Sequence, residues 1–243
     1  MSPKKLRTIG VLGGMGPEAG ASFLERIIRE TAAGRDQDHA PVVLYSVPQV
    51  PDRTRAILQG GPSPVPALRR GLAALRAAGA DFAVMPCVTA HHFFARIVSG
   101  SPLPLLSLVD ETVAAVRRMN PAPGTIGIIA TTGTVRSGVL ARAFAAAGIE
   151  VLVPSGREQK KVMTAIYGKK GIKAGVASGP PREILLGIAA GLIRRGARAV
   201  VAGCTEVPLV LREGDLPVPL IDPLTIGARA AVRRSGARLR GTG

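Results

Sequence analysis

Thr125-Ile126-Gly127-Ile128-Ile129-Ala130 repeats Thr8-Ile9-Gly10-Val11-Leu12, and that repetition decides how the rest of the chain is read. Each run is a short, β-rich apolar segment of the kind that forms a strand buried on both faces. Each leads into a turn of small residues, Gly13-Gly14-Met15-Gly16 in the first case and Thr131-Thr132-Gly133-Thr134 in the second. A second pair of runs comes later. ADFAVMP at 80–86 and ARAVVAG at 197–203 each deliver a cysteine with a threonine just beyond it, in Cys87-Val88-Thr89 and Cys204-Thr205-Glu206. Cys87 comes 73 positions after Gly14, and Cys204 comes 72 after Thr132. Unrelated βα units would share the strand, but not the turn, the cysteine and the distance together.

Working outward, the pattern predicts strands over 8–12, 42–47, 81–85 and 103–107. These alternate with helices over 17–33, 65–78 and 110–119, and a Pro-rich loop lies around 60–66. Leu68, Leu72 and Leu75 recur at helical spacing and mark the buried face of the helix over 65–78. The apolar segment 220–223 and a helix over 224–234 match the strand and helix that follow Cys87. Strands alternating with helices predict an α/β fold with parallel sheets. The expected architecture is two similar three-layer α/β lobes related by a pseudo-two-fold, with the active site in the cleft between them. Residues 1–116 form the lobe with Cys87, 117–221 the lobe with Cys204, and a helix within 222–243 packs back on the first lobe. The basic, Gly-rich end, 235–243, is expected to fray.

Composition narrows the function classes. Of 243 residues, 47% are hydrophobic and only 3% aromatic, with no Trp, so the core must be built from Ala, Val, Leu and Ile. The net charge of +16 could attract nucleic acid. No nucleic-acid module or set of stacking aromatics accompanies it, so the charge reads as a solvated surface that also draws in a small dicarboxylate. Two cysteines make no disulfide framework and suit a reducing compartment. The apolar run after Lys4-Lys5 breaks at Gly13-Gly14, too early for a signal sequence. No stretch approaches the roughly 20 apolar residues needed to span a bilayer. A soluble cytoplasmic protein, with no nucleic-acid or membrane partner, is expected.

The cysteines carry the chemistry. Ligands of open parallel sheets bind at the carboxyl ends of strands, and both cysteines fall at such ends, just before expected helix starts. Backbone N–H groups and a positive helix end there would lower each thiol below its free value. Two thiols on opposite sides of one substrate suit racemisation. One removes the Cα hydrogen from one face while its partner returns a proton to the other. The developing dianion needs oriented donors, for which Thr89, Thr132, Thr205 and the turn around Met15 are placed. A zinc site is disfavoured: Cys87 and His91 stand alone, with no CxxC or HxxxH, and Cys204 has no histidine near it. Gly14-Met15-Gly16-Pro17-Glu18-Ala19 fits a dinucleotide fingerprint. The second strand, however, ends Val47-Pro48-Gln49 without the expected acidic residue, so no nucleotide cofactor is predicted.

At these residues the sequence resembles the aspartate/glutamate racemase family. Gly13-Gly14-Met15-Gly16-Pro17 is similar to its GGMGP, and Pro48-Gln49-Val50-Pro51-Asp52-Arg53-Thr54 to its PQ-x-PDRT. Met85-Pro86-Cys87-Val88-Thr89-Ala90-His91 resembles MPCNTAH, and Gly203-Cys204-Thr205-Glu206 resembles GCTE. Ala165-Ile166-Tyr167 and Gly171-Ile172-Lys173-Ala174-Gly175 resemble its IY…IKAG stretch. The matches run over residues 8–225. The resemblance implies two-cysteine racemisation without pyridoxal, metal or other cofactor, in a homodimer, with Cys87 and Cys204 catalytic. It also implies that Arg53 and Lys173 hold the side-chain carboxylate of an acidic amino acid, aspartate or glutamate. Met15, Gln49, Val88, Thr89, Thr132, Thr205 and Glu206 would line the rest of the site. Glu206 stands where glutamate racemases carry His, which points to the aspartate racemase-like branch. It could also cap a helix or hold a proton network at the thiol. His91 and His92 read as packing residues.

One departure bears on substrate. Val88 replaces the family's Asn and brings no hydrogen-bonding group. Gly20, where the family more often has Thr, is a minor one. The alternatives are a single-cysteine relative (a cis–trans isomerase of an unsaturated diacid, or a malonate-type decarboxylase) and a non-catalytic sensor of an acidic metabolite. Retention of both thiols favours the two-base reaction.

Overall fold

The computed structural model describes residues 6–241. Along the chain, β1 (Ile9–Gly13) leads to α1 (Pro17–Glu30), then β2 (Val42–Ser46), the short α2 (Arg53–Leu58) and α3 (Val65–Ala77). Next come β3 (Phe82–Val84), α4 (Phe94–Val98), β4 (Leu105–Leu106) and α5 (Leu108–Arg117). The second series is β5 (Thr125–Ile129), α6 (Thr132–Ser137), α7 (Val139–Ala145), β6 (Glu150–Leu152), α8 (Gly156–Tyr167) and α9 (Pro180–Arg194). It closes with β7 (Val200–Ala202), β8 (Leu220–Ile221) and α10 (Pro223–Ser235).

The repeat read in the sequence is a repeat of topology. Two four-stranded parallel sheets have the orders β2-β1-β3-β4 and β6-β5-β7-β8. The strands carrying TIG, β1 and β5, are therefore central in the same way, and each pairs in parallel with the strand that leads to a cysteine, Val11 opposite Val84 and Ile129 opposite Ala202. Every residue of β1, β3 and β7 is buried, as two helix-covered faces require. The outer strand β2 is only partly covered. The predicted α/β class with paired parallel sheets is the one observed.

The chain divides into two compact units. One comprises Met1–Pro51, Ser63–Glu111 and Leu224–Gly243, and the other Asp52–Pro62 and Thr112–Pro223. The segment 52–62, assigned by sequence to the first lobe, thus belongs with the second. The reason is local: α2 lies so close to α6 that a Cβ on Gly133 would come within 2.9 Å of the Thr54 Cα.

In the first unit, Phe23 and Ile27 of α1 and Leu224, Ala228, Ala231 and Val232 of α10 share a core with Ile9, Val11, Phe82 and Val84. Leu68, Leu72 and Leu75 of α3 are fully buried, as their spacing predicts. Burial at Phe23 or Leu72 is worth about 1.5–3 kcal/mol each. Gly20 lets α1 lie against β1: a Cβ there would sit 3.2 Å from the Gly13 Cα. In the second unit, α8 and α9 supply Val162, Ile166, Leu185, Ile188 and Leu192 to a core with Ile129 and Val200. Ser155 and Glu158 start α8 with a reciprocal capping box.

The expected fraying at the end is corrected by the structure through residue 241. Leu239 inserts into the first core and bridges to Thr31, while Ala32 N–H donates to Arg238 O and Arg240 N–H to Glu30 O. One apolar side chain plus satisfied backbone groups outweigh the polar composition of this segment. Residues 242–243, the rest of that stretch, and the basic start at 1–5 lie outside the described residues. Among the described residues no helix is long and apolar enough to cross a membrane.

Candidate active site

The candidate residues fall into two groups, one in each unit, and each group includes a cysteine just past the carboxyl end of an inner strand. In the first unit, β1 turns at Gly13–Gly16. Gly14 has φ +96°, and a Cβ there would collide with the Val47 backbone. Only glycine lets that turn pass under the end of β2. The turn buries Met15, while Gln49, beyond β2, is exposed. On the adjacent strand, β3 runs through Met85-Pro86 to Cys87, a free thiol 4% exposed. Val88 and Thr89 beside it are also buried, and Thr89 opens a 3-10 turn, Thr89–Phe93.

His91 fixes this loop. Its Nδ1 lies 2.9 Å from the carbonyl oxygen of Cys87, and its Nε2 accepts from Leu108 N–H at 3.0 Å. The ring is therefore neutral, with its proton on Nδ1. Burial drives its pKa down to about 4, against a smaller opposing pull from the Cys87 carbonyl and Asp110. It also stacks on Phe94, with centroids 5.1 Å apart. Both ring nitrogens are engaged by backbone, so His91 is a structural clamp, in accord with its reading as a packing residue.

In the second unit, Thr131 caps α6 and accepts from Thr134 N–H at 3.2 Å. Thr132 comes next, at the first helical position. Its N–H donates to the sulfur of Met163, and its Oγ1 accepts from Gln159 Nε2 at 3.2 Å. Gln159 also donates to Ala130 O at 3.0 Å, so α8 braces the turn after β5. Arg53 is buried at the start of α2, where Asp52 caps the helix by accepting from Arg55 N–H at 2.7 Å. Tyr167 donates to the other oxygen of Asp52 at 3.2 Å. The sequence reading passed over Gln159, Met163 and the capping role of Asp52. An acidic residue just before Arg53-Thr54-Arg55 is a helix-start signal. The inward contacts of α8 leave no such mark.

Cys204 lies just past β7, also 4% exposed and free. Its Sγ donates to Glu206 Oε2 at 2.8 Å, and Thr205 Oγ1 lies 3.5 Å from the same oxygen. Glu206 Oε1 is ion-paired to Lys173 Nζ. Ile172, buried in the 3-10 turn Ile172–Ala174, anchors Lys173, whose ammonium also lies 5.5 Å from the Tyr167 ring centroid. Cys204, Thr205, Glu206 and Lys173 therefore form one connected cluster.

The structure corrects one expectation about the thiols. In place of the lowering expected from a helix start, the Cys204 thiol is raised well above its ordinary value. Burial is the first cause and the adjacent Glu206 carboxylate the second, with Lys173 offsetting part. The next element after Cys204 is the three-residue 3-10 turn Val207–Leu209, which is too short to present a helix end. Cys87 likewise precedes a 3-10 turn, with the five-residue α4 only after it. Among the described residues no group of three His, Cys, Asp or Glu side chains could hold a metal ion.

Comparison with known proteins bears on this geometry. The chain is 25% identical over 230 residues to the broad specificity amino-acid racemase RacX of Bacillus subtilis, covering 92% of this chain and 96% of that one. Its fold is similar to the aspartate racemase of Picrophilus torridus, with a TM-score of 0.86, 30% identity and 96% of each chain covered. It is also similar to an aspartate racemase homologue from Pyrococcus horikoshii, with a TM-score of 0.75, 20% identity and coverage of 95% of this chain and 100% of that one, a likeness of fold. The model of the Asp/Glu/Hydantoin racemase family matches residues 12–231, which take in both cysteines. By that match the chain belongs to the Asp/Glu/Hydantoin racemase family and is an isomerase acting on amino acids.

Proposed function

We propose that this amino-acid racemase interconverts the L- and D-forms of an acidic amino acid, aspartate or glutamate, without pyridoxal, using Cys87 and Cys204 as its two bases. The observation that carries the reading is the equivalence of the thiols. Each is free and buried, and each lies just past the strand next to the central one in sheets of identical strand order. A reaction whose two directions are mirror images calls for such a pair. One thiolate takes the Cα proton, the electron pair spreads into the carboxylate, and the opposite thiol returns a proton to the other face. Thr89, Thr132 and Thr205 would donate to the developing dianion. Arg53 and Lys173 would take the side-chain carboxylate, Arg53 through its planar fork. An ammonium has three donors, so the contact with Glu206 is compatible with that role. Met15, Gln49 and Val88 would complete the lining.

Val88 favours a second substrate reading. It is buried and apolar beside Cys87, where an Asn could donate to substrate. Loss of one charge-assisted hydrogen bond is worth roughly 1.5–3 kcal/mol. Selectivity for aspartate and glutamate would then relax, and the relative from Bacillus subtilis is itself named for broad specificity.

The test is solvent exchange. In D2O, either enantiomer of a true substrate should gain deuterium at Cα as it racemises, and a screen of D- and L-amino acids identifies it. Cys87→Ala and Cys204→Ala should each abolish interconversion. Loss with only one of them would favour a single-cysteine isomerase or decarboxylase. Binding without exchange would favour a sensor, and activity surviving both substitutions would end the thiol mechanism.

A further inference from the structure

The two thiols have equivalent places in the fold and unlike surroundings. At Cys87, His91 meets the backbone carbonyl of that residue and is neutral. Cys204 instead meets a carboxylate at its sulfur: Glu206 is buried, one of its oxygens accepts from Sγ at 2.8 Å, and the other is taken by Lys173. Cys204 also shares an apolar core with Ile129, Ile166 and Val207, among others. Lys173 and Glu206 are the charged groups that act on this thiol, one from the turn Ile172–Ala174 and one from the loop after β7.

We propose that Glu206, held in place by Lys173, is a positioning residue that keeps Cys204 in its S–H form in the resting enzyme, so that Cys204 enters the reaction as proton donor and Cys87 as base. The proposal rests on the two-thiol racemase reading. A carboxylate oxygen in hydrogen-bond contact with sulfur is stabilised by a proton between them and repels a thiolate. Lys173 fixes the carboxylate through its second oxygen, which aims the first at Sγ, and its positive charge partly offsets the repulsion once the proton has left. In the productive step the Cα–H bond breaks and its proton passes to Cys87. The Cys204 S–H bond then breaks, and its proton forms the new Cα–H bond on the other face. Product leaves Cys87 protonated and Cys204 as thiolate beside Glu206. Proton exchange with water restores the resting form. The free enzyme is therefore poised for the enantiomer whose Cα hydrogen goes to Cys87, and the opposite enantiomer meets the minor protonation form.

The test is alkylation of the intact protein by iodoacetamide at pH 7.5, with the Cys87 and Cys204 peptides quantified separately by mass spectrometry. Glu206→Gln should speed modification of Cys204 about tenfold or more, because removing a neighbouring anion raises the thiolate fraction. Lys173→Met should slow it about threefold or more, because the remaining anion is then uncompensated. Cys87 should change less than Cys204 in both variants, because Glu206 contacts the Cys204 sulfur directly. In the unaltered protein, Cys204 should react with a pH midpoint above that of a free thiol measured alongside, a readout that needs no variant to fold. A midpoint at or below the free thiol, or shifts in the same sense for the two substitutions, would overturn the proposal. None of these rates requires turnover, so failure of the racemase reading (no Cα exchange) and failure of this assignment are separate results.

Discussion

Replacing His91 by Gln should flatten the acid dependence of stability by an amount the structure allows to be worked out. His91 titrates at about 4 in the folded chain, against 6.5 for an ordinary imidazole, chiefly because it is buried. Between those values the unfolded chain binds a proton that the folded chain refuses. Stability is therefore full above pH 6.5 and is lost as the pH falls towards 4. Applied to those two values, linkage gives a loss of about 2.5 kcal/mol between pH 7.5 and pH 4.5 from this residue alone. Protonation would also destroy the Nε2 acceptor that Leu108 N–H uses and set a cation in the first core. The assay is urea unfolding of parent and variant at both pH values. Other groups titrate in both proteins and largely cancel in the comparison. Gln still offers a donor and an acceptor, so the variant should lose about 1–3 kcal/mol at pH 7.5 from imperfect geometry. Its further loss on acidification should be smaller than the parent's by about 2.5 kcal/mol. An identical acid dependence in the two proteins would show that His91 is not the neutral clamp described above.

Other perturbations probe the site more directly. Gly133→Ala would place a methyl group 2.9 Å from the Thr54 Cα and 2.6 Å from its Oγ1, so α2 must move outward and carry Arg53 with it. Urea unfolding should show a cost of about 1–3 kcal/mol, and kcat/KM should fall about 10–100-fold. Unchanged kinetics would remove Arg53 from the site. Val88→Asn should lower KM for aspartate or glutamate about tenfold, the lower end of what one charge-assisted hydrogen bond contributes. A KM unchanged by Asn would mean that position 88 does not face the substrate. Leu72→Ala should cost about 2–5 kcal/mol in urea unfolding and leave KM alone, since this fully buried side chain belongs to the core and not to the site.

The sequence reading succeeded where one physical constraint acts on a whole segment. The helical spacing of Leu68, Leu72 and Leu75 and the short apolar runs 126–130 and 199–203 are each set by one kind of burial. The matched distances to Cys87 and Cys204 showed that two sheets share a topology. It failed where a few atoms decide. The six-residue α2 has no periodicity to detect, and its partner is set by the absence of a side chain at Gly133. Leu239 orders a segment whose composition looks disordered. The environment of Cys204 depends on Glu206, two residues on, and Lys173, 31 residues earlier, being brought to one point. That is a property of the folded backbone, which also buries the thiol, and burial ahead of Glu206 reversed the expected direction for it.

The return of α10 and the segment to Leu239 into the first core has a consequence for biosynthesis. A chain emerging from the ribosome exposes β1, β2 and β3 early, yet their core lacks Leu224, Ala228, Ala231, Val232 and Leu239 until the second unit has been made. The unit built from Asp52–Pro62 and Thr112–Pro223 has all of its parts sooner. The usual vectorial order, amino-terminal body first, is thereby inverted, and the nascent sheet still lacking α10 is the species that chaperones and proteases would meet.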